Sequence, residues 1–291
     1  MHGFGRFAAI VCVLGTSLAA QTPEERAAKV LADVRTALGG EEKLSAIKTF
    51  TTTGRTRRVQ GDNLVPIEFE MLVELPDKYL RKDEIPAQES DPTTTGFNGD
   101  QLLQIPPPSP PQPRPGMPAP PEGAFENMLK GRALTARQDF ARLMLGMFGT
   151  SFKAYPLTFT YIGQAEAPQG KAHVLEATGE NSFKIRYFVH METHLPVMVS
   201  WTAPARPAGR GATPQPPPAA GQAPPAGAPP AGPPPAPPDQ RLYFADYRDV
   251  DGIKLPFRLR RALGSNTTEE TTFDRFRLNV KIDPRRFEVR K

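Results

Sequence analysis

Cysteine is nearly absent from this 291-residue chain, which contains only Cys12, inside an apolar run close to its start. The rest of the sequence therefore cannot form disulfides, and it cannot supply a thiol nucleophile, an iron–sulfur cluster or a cysteine-ligated zinc site. A fold built from these residues must be held together by its hydrophobic core alone.

A strong charge of either sign is also absent. The chain has 36 Lys and Arg against 31 Asp and Glu, a formal net charge of +5, and its basic residues are scattered among acidic ones. This pattern is not the footprint of a nucleic-acid-binding protein. Nucleophile elbows, phosphate-binding glycine loops and zinc-protease helices are missing as well, so the sequence favours a noncatalytic protein without a cofactor.

Residues 1–20 have the pattern of a secretory signal peptide. Arg6 precedes an apolar run at 7–14, and small residues follow, which predicts cleavage after Ala19 or Ala20. The run is short for a membrane span, and an uncleaved anchor is the alternative interpretation. We therefore expect a periplasmic or secreted protein.

Proline is abundant but concentrated, since 25 of the 35 prolines fall in two tracts at 106–121 and 203–238. Tracts of this kind are extended and solvated, and each lies where a predicted strand or hairpin ends. We therefore predict a single domain, residues 21–291, with disordered proline-rich insertions at 106–121 and 203–238. For the second tract, a stiff spacer and a docking segment for a partner are the alternatives to a tolerated insertion.

Helical patterns occupy two regions. Thr22-Pro23-Glu24-Glu25 predicts a helix that begins with a capping box, Gly39-Gly40 predicts its end, and a short helical piece follows at 41–47. Further along, the pattern predicts one short helix near Phe125 and a second that begins with a capping box at Thr135. The second of these carries an apolar stripe, formed by Phe140, Leu143, Met144, Met147 and Phe148.

Most of the remaining sequence alternates between apolar and polar residues. At 65–75 the odd positions are apolar and most even positions are polar, which is typical of an antiparallel strand with one solvated face. Similar segments recur to the end of the chain, including a short predicted edge strand at 287–290. Because a long meander of twisted strands curls, the predicted fold class is α+β, a curved antiparallel sheet (an unclosed β-barrel) of about 10–11 strands with helices packed in its concave face.

Four sequence features identify a resemblance. They are Phe97-Asn98-Gly99-Asp100-Gln101, the strand start Leu195-Pro196-Val197-Met198, Trp201, and the turn Asp249-Val250-Asp251-Gly252-Ile253-Lys254-Leu255-Pro256. With the order of helices and strands, they resemble the LolA/LolB-like superfamily of periplasmic lipoprotein carriers over residues 22–104 and 122–291. The resemblance implies an outer-membrane lipoprotein-sorting-like protein, whose unclosed barrel is plugged by helices around an apolar hollow for lipid acyl chains.

The resemblance and the alternating pattern together predict a ligand-binding site in that hollow. Methionine suits such a site, because its flexible side chain packs against both an empty and a filled cavity. The side chains predicted to surround the ligand are Phe69, Met71, Val73, Phe140, Met144, Met147, Phe183, Ile185 and Tyr187. For any one of them, plain core packing is the alternative.

The function predicted from these features is a noncatalytic binding or carrier protein for a lipid, a lipoprotein acyl chain or another apolar ligand, with transient membrane contact. An envelope scaffold or stress-sensor module that binds another protein is the first alternative, and a hydrolase is the second. His190, Glu192 and His194 have the spacing of three metal ligands on one face of a strand. The segment around Thr193 has the pattern of a turn, so we predict a solvated hairpin end there and no metal site.

Overall fold

The computed structural model describes residues 21–112, 119–167, 170–202 and 239–288. The predicted signal peptide at 1–20, the tract at 203–238 and the middle of the tract at 106–121 lie outside the described residues.

Two helices open the described chain. Helix α1, Pro23–Leu38, begins as predicted, because Thr22 Oγ1 accepts a hydrogen bond from the Glu25 amide at 3.2 Å and the Glu25 carboxylate accepts one from the Thr22 amide at 2.9 Å. The helix ends at Gly39, whose φ of 139° favours glycine and whose position leaves no room for a Cβ beside the Gly252 carbonyl. Helix α2, Glu41–Ala46, follows at once.

Twelve strands form one antiparallel sheet. Their bounds are β1 Thr49–Gln60, β2 Asn63–Glu74, β3 Lys78–Glu84, β4 Thr93–Asn98, β5 Gln101–Ile105, β6 Thr158–Ala167, β7 Gly170–Gly179, β8 Phe183–His190, β9 Pro196–Thr202, β10 Asp239–Val250, β11 Ile253–Leu263 and β12 Asn266–Leu278. The order across the sheet is β5-β4-β3-β2-β1-β12-β11-β10-β9-β8-β7-β6. Two meanders, β1–β5 and β6–β12, thus meet where β1 pairs with β12, and β5 and β6 remain as the two edges.

This architecture confirms the predicted α+β fold with an unclosed antiparallel sheet and helices on its concave face. The strand count is higher than predicted by one or two. The sequence predicts a pair of strands from Asn266 onward, but Asn266–Leu278 forms one strand of 13 residues. A bulge opposite Gly54 lets this strand stay paired with β1 without a turn. The prediction of an edge strand at 287–290 is wrong for residues 287 and 288, which are the part that the structure describes. Pro284–Phe287 forms a 3₁₀ turn instead, capped by Asp283.

A single long helix, α3, connects β5 to β6. It runs from Ala124 to Phe148, 25 residues, where the sequence predicts two helices. Thr135 does not cap a helix start, because its hydroxyl donates to the Gly131 carbonyl one turn earlier, at 3.0 Å, inside the continuous helix. The helix ends at Gly149, which has a left-handed φ of 60°.

The core lies between the concave face of the sheet and the last turns of α3. Every residue from Phe140 to Gly149 is buried, so this part of the helix is surrounded by protein on all sides. Helix α1 covers the other end, where it contacts β6, β11 and α3. Within the described part of the chain, no helix is both long enough and apolar enough to span a bilayer.

Candidate functional site

The nine residues predicted to line a ligand hollow all lie in the interior. Phe69, Met71 and Val73 come from β2, Phe140, Met144 and Met147 from α3, and Phe183, Ile185 and Tyr187 from β8. All nine are at most 5 % exposed and belong to one core cluster. The structure thus brings the predicted residues together, while ligand contact by them stays a prediction.

Helix α3 occupies the space that the sequence predicts as a hollow. The Tyr187 hydroxyl donates to the Leu145 carbonyl at 2.9 Å, and the Tyr247 hydroxyl donates to the Gly146 carbonyl at 2.9 Å. Burial raises the pKa of both tyrosines above the ordinary value, so both hydroxyls remain protonated donors. Gly146 lets the Phe244 ring lie directly against the helix backbone.

A small polar cavity of about 40 Å³ remains beside α3. Arg81 is the central cation, since it donates to Asp83 at 2.6 Å and to the buried Thr56 hydroxyl at 3.0 Å, and lies 4.4 Å from the centre of the Phe69 ring. Burial disfavours its charged form, but Asp83, Tyr79 and Glu269 together outweigh that effect and the pKa of Arg81 is raised. The lining residues are Met71, Tyr79, Arg81, Asp139, Leu143, Leu242, Leu259, Arg261, Glu269, Thr271 and Phe273. At this volume the cavity has room for water but not for an acyl chain.

Arg142, in α3, is a second buried cation. Only 7 % of the residue is exposed, and its guanidinium lies over two rings, 4.3 Å from the centre of Trp201 and 4.7 Å from that of Phe183. It donates to Asp139 at 2.9 Å, while its Nε has no hydrogen-bond partner among the described residues. Cation–π contact with the two rings compensates part of the cost of burying the charge.

An open groove of about 770 Å³ lies between the sheet edge and the first turns of α3. Six of its thirteen lining residues have apolar side chains, and these are Leu102, Pro107, Pro108, Phe125, Leu129 and Phe287. Phe125 and Leu129, four residues apart on one face of α3, are half-buried. We call this feature the edge groove.

Two arginines of α3 hold the helix against the β4–β5 hairpin and so fix the width of the edge groove. Arg137 pairs with Asp100 in the hairpin turn, and Arg132 donates to Gln104 of β5 at 3.0 Å. The turn itself is tight, because Gly99 has a left-handed φ of 57°. The helix and the hairpin therefore form two walls at a defined spacing.

The third wall is the C-terminal segment. Phe287 is 1 % exposed and packs against Leu72, Leu80 and Leu103 on the convex side of the sheet. Its carbonyl accepts a hydrogen bond from the Asn98 side chain at 3.1 Å, which places this residue at the edge groove as well. The C-terminal segment thus packs across β2, β3 and β5 and forms the third wall of the edge groove.

The charged residues at the rim of the edge groove have both signs. Asp100, Glu126, Lys130 and Glu288 line it beside the polar Asn98, Gln101 and Gln104. Three of these four residues are acidic, so the rim does not attract an anionic head group, and the apolar walls decide what binds. In the sequence, the spacing of Phe125 and Leu129 indicates an apolar face, but nothing local indicates that the face stays uncovered.

The histidine triplet lies at a hairpin end, as the sequence predicts. Strand β8 ends at His190, and the amides of Glu192 and Thr193 donate to His190 Nδ1 at 3.2 and 3.3 Å. His194 has a left-handed φ of 55°, which turns the chain into β9. Among the described residues, no three His, Cys, Asp or Glu side chains are grouped so that they could hold a metal ion.

Comparisons with known proteins find similarity in structure. No protein-family model and no curated protein sequence matches the chain. Among solved structures, it is similar to a DUF1329 family protein from Desulfovibrio piger, at 9 % identity over 92 % of this chain and 98 % of that one, with a TM-score of 0.49.

Two further solved structures are similar to the chain. A LolA superfamily protein from Nitrosomonas europaea has 12 % identity over 91 % of this chain and 97 % of its own, with a TM-score of 0.48. A domain from Vibrio parahaemolyticus, described as an outer membrane lipoprotein-sorting protein domain, has 9 % identity over 90 % and 97 %, with a TM-score of 0.47. These similarities concern the fold alone.

Proposed function

We propose that this chain is a noncatalytic extracytoplasmic binding protein that holds an acyl chain or another apolar ligand between the curved sheet and α3, in the edge groove. The observation that carries the proposal is an open, largely apolar groove of about 770 Å³ bordered by sheet, helix and chain end. That size falls within the roughly 300–1,000 Å³ that small-molecule sites occupy.

The binding energy available in such a groove comes from apolar contact. Each buried methylene contributes about 0.8 kcal/mol, so a chain of a dozen carbons gains roughly 10 kcal/mol before the cost of association. Because the groove is open to solvent, we expect affinities of about 1 μM or weaker, a range suited to transfer rather than storage.

The nine interior residues would contact a ligand only if it moved from the edge groove deeper into the protein. A ligand that reached Phe69 or Met144 would have to displace the last turns of α3 and break the Tyr187 and Tyr247 hydrogen bonds to its carbonyls. Those costs favour the edge groove as the resting site of a ligand. The predicted signal peptide at 1–20 supports a location outside the cytoplasm, where acyl chains of lipids and lipoproteins are available.

The test is binding of a neutral fluorescent probe of apolar sites, 1-N-phenylnaphthylamine, to the purified protein. Leu129→Glu places a charge in the groove wall and removes an apolar contact worth about 1.5 kcal/mol or more, so probe affinity should fall at least tenfold. The matched control is Leu64→Glu, at a position near the start of β2 that is 63 % exposed. Equal probe binding by wild type and Leu129→Glu would rule out the edge groove.

A second candidate function, capture of another protein, is favoured by the position of β5. Among the described residues this strand pairs with β4 alone and forms one edge of the sheet, so its outer side can pair with an extended segment of a partner. Binding of this kind would slow amide hydrogen exchange at 101–105 in the presence of the partner. Binding of the apolar probe alone would leave those amides unchanged.

A further inference from the structure

The convex face of the sheet gathers basic side chains that are scattered in the sequence. In β1, β12 and β11 the buried residues alternate with outward-facing ones, and seven of the outward-facing side chains are basic. They form the basic strip, which consists of Arg55, Arg57, Lys254, Arg258, Arg260, Arg275 and Arg277. The outward acidic residues of the same strands are Glu270 and Asp274, so the strip has a net charge of +5, equal to that of the whole chain.

The strand register explains why these residues converge. Arg55 of β1 and Arg258 of β11 lie on either side of Thr272 in β12, in direct register with it. Two residues along, Arg57 and Arg260 flank Glu270 in the same way. Sheet pairing therefore brings together arginines that are about 200 positions apart in the sequence.

The charges of the basic strip are partly compensated from the neighbouring strands, since Arg55 lies in register with Glu68 of β2 and Lys254 with Asp249 of β10. Arg57 and Arg258 are exposed and, among the described residues, take part in no ion pair, whereas Arg55 pairs with Asp274 at 3.3 Å. A shallow cleft of about 330 Å³ lies between Arg55, Arg57 and Arg258, with Glu270 and Thr272 below them. Guanidinium groups in this arrangement can reach phosphate oxygens that approach from outside.

An exposed apolar pair continues the strip at one end. Val59 follows Arg55 and Arg57 on the outward side of β1, and it pairs across the β1–β2 hairpin with Leu64. These two side chains are 43 % and 63 % exposed. Basic residues beside exposed aliphatic ones match the interface of a bilayer, where phosphates lie next to acyl chains, whereas a soluble polyanion offers no partner for Val59 and Leu64.

We propose that the basic strip docks this protein on an anionic membrane surface, with Val59 and Leu64 entering the headgroup region. The surface lies on the convex side of the sheet and shares no residue with the edge groove. Docking therefore leaves the groove free to exchange an apolar ligand, and it stands or falls independently of the function proposed above.

The experiment measures co-sedimentation of the purified protein with phosphatidylcholine vesicles that contain or lack phosphatidylglycerol, at low and high salt. We expect binding only to the anionic vesicles, with a partition coefficient that falls as salt rises. The double variant Arg57→Glu/Arg258→Glu should bind at least about tenfold more weakly. The control Lys153→Glu/Lys171→Glu makes the same change in net charge at exposed positions away from the strip and should differ from wild type by less than about twofold.

Two further measurements separate the alternatives. Leu64→Asp should weaken vesicle binding but leave any binding of inorganic polyphosphate unchanged, because only the bilayer contacts that side chain. Thermal unfolding of each variant checks that it is folded. Binding to neutral vesicles as strong as to anionic ones, equal loss in the control variant, or binding of polyphosphate without binding of vesicles would each overturn the proposal.

Discussion

At the scale of single residues, Gly146 shows how closely α3 is fitted into the sheet. A Cβ built on this glycine would lie 2.1 Å from an atom of the Phe244 ring, inside the buried part of the helix. Gly146→Ala should therefore destabilise the protein by about 1–3 kcal/mol, although alanine is the better helix former. The measurement is the free energy of unfolding from urea denaturation.

Gly131 provides the control for this prediction, since it lies in the same helix with open space around it. Gly131→Ala should stabilise the protein by up to about 1 kcal/mol through helix propensity alone. If both substitutions were stabilising, the close contact between Phe244 and the helix backbone would not exist in solution.

The burial of apolar side chains can be predicted from the sequence more readily than the burial of charged ones. Burial of Met144 and Met147 follows from helical spacing, which is a local signal. Burial of Arg142 does not, because its ring partners Phe183 and Trp201 lie on strands more than 40 residues further along the chain. Only the folded sheet shows that an arginine beside an apolar stripe contacts two aromatic rings.

At the scale of elements, Arg35 of α1 connects the three helices. It donates to the carbonyl at the end of α3, Phe148 O, at 2.9 Å and to the Glu41 carboxylate of α2 at 2.7 Å. The hydrogen bond from Arg35, with that from Ser45, lowers the pKa of Glu41 from 4.5 to about 2. The junction of α1, α2 and α3 should therefore be sensitive to acid.

The sign of this pH dependence follows from proton linkage. Because the pKa of Glu41 is lower in the folded state, its stabilising contribution is fully present above pH 4.5 and is lost as the pH falls towards 2. The effect should be small, since the side chain is 70 % exposed. Urea unfolding across this pH range should show a shallower acid loss of stability for Glu41→Gln, whereas Glu42→Gln should retain the wild-type slope; identical slopes for both variants would contradict the linkage.

Elements with local signals could be predicted, and those that depend on tertiary contact could not. The capping box at Thr22 and the strand Ile253–Leu263 are visible in the sequence, because capping and alternation are properties of neighbouring residues. The unbroken α3 is not, because Thr135 resembles a cap and only packing shows that the helix continues. The edge groove combines β5, α3 and Phe287, so no local pattern could have indicated it.

At the scale of the whole molecule, the sheet predicts that the tract at 203–238 is dispensable for folding. The residues on either side of it, Thr202 and Asp239, are cross-strand partners in β9 and β10, and their side chains are 3.2 Å apart. Replacing 203–238 by Asn-Gly should leave the free energy of unfolding unchanged or raise it by up to about 2 kcal/mol, because a shorter loop costs less entropy to close.

Thermal and urea unfolding of this shortened protein test the prediction that the chain forms a single domain and that the proline-rich tracts are tolerated insertions in it. A shortened chain that fails to fold, or that unfolds in two separate transitions where the full chain shows one, would mean that the tract carries structure the sheet needs.

The central claim, that an apolar ligand rests in the edge groove and not under the last turns of α3, is tested most directly by photo-crosslinking. A long-chain alcohol that carries a diazirine is irradiated with the protein, and the labelled residues are located by peptide mass spectrometry. The predicted labels fall on Leu102, Phe125, Leu129 and Phe287 and disappear in Leu129→Glu. Labels confined to interior residues such as Met71, Met144 and Ile185, or labelling that Leu129→Glu leaves unchanged, would contradict the claim.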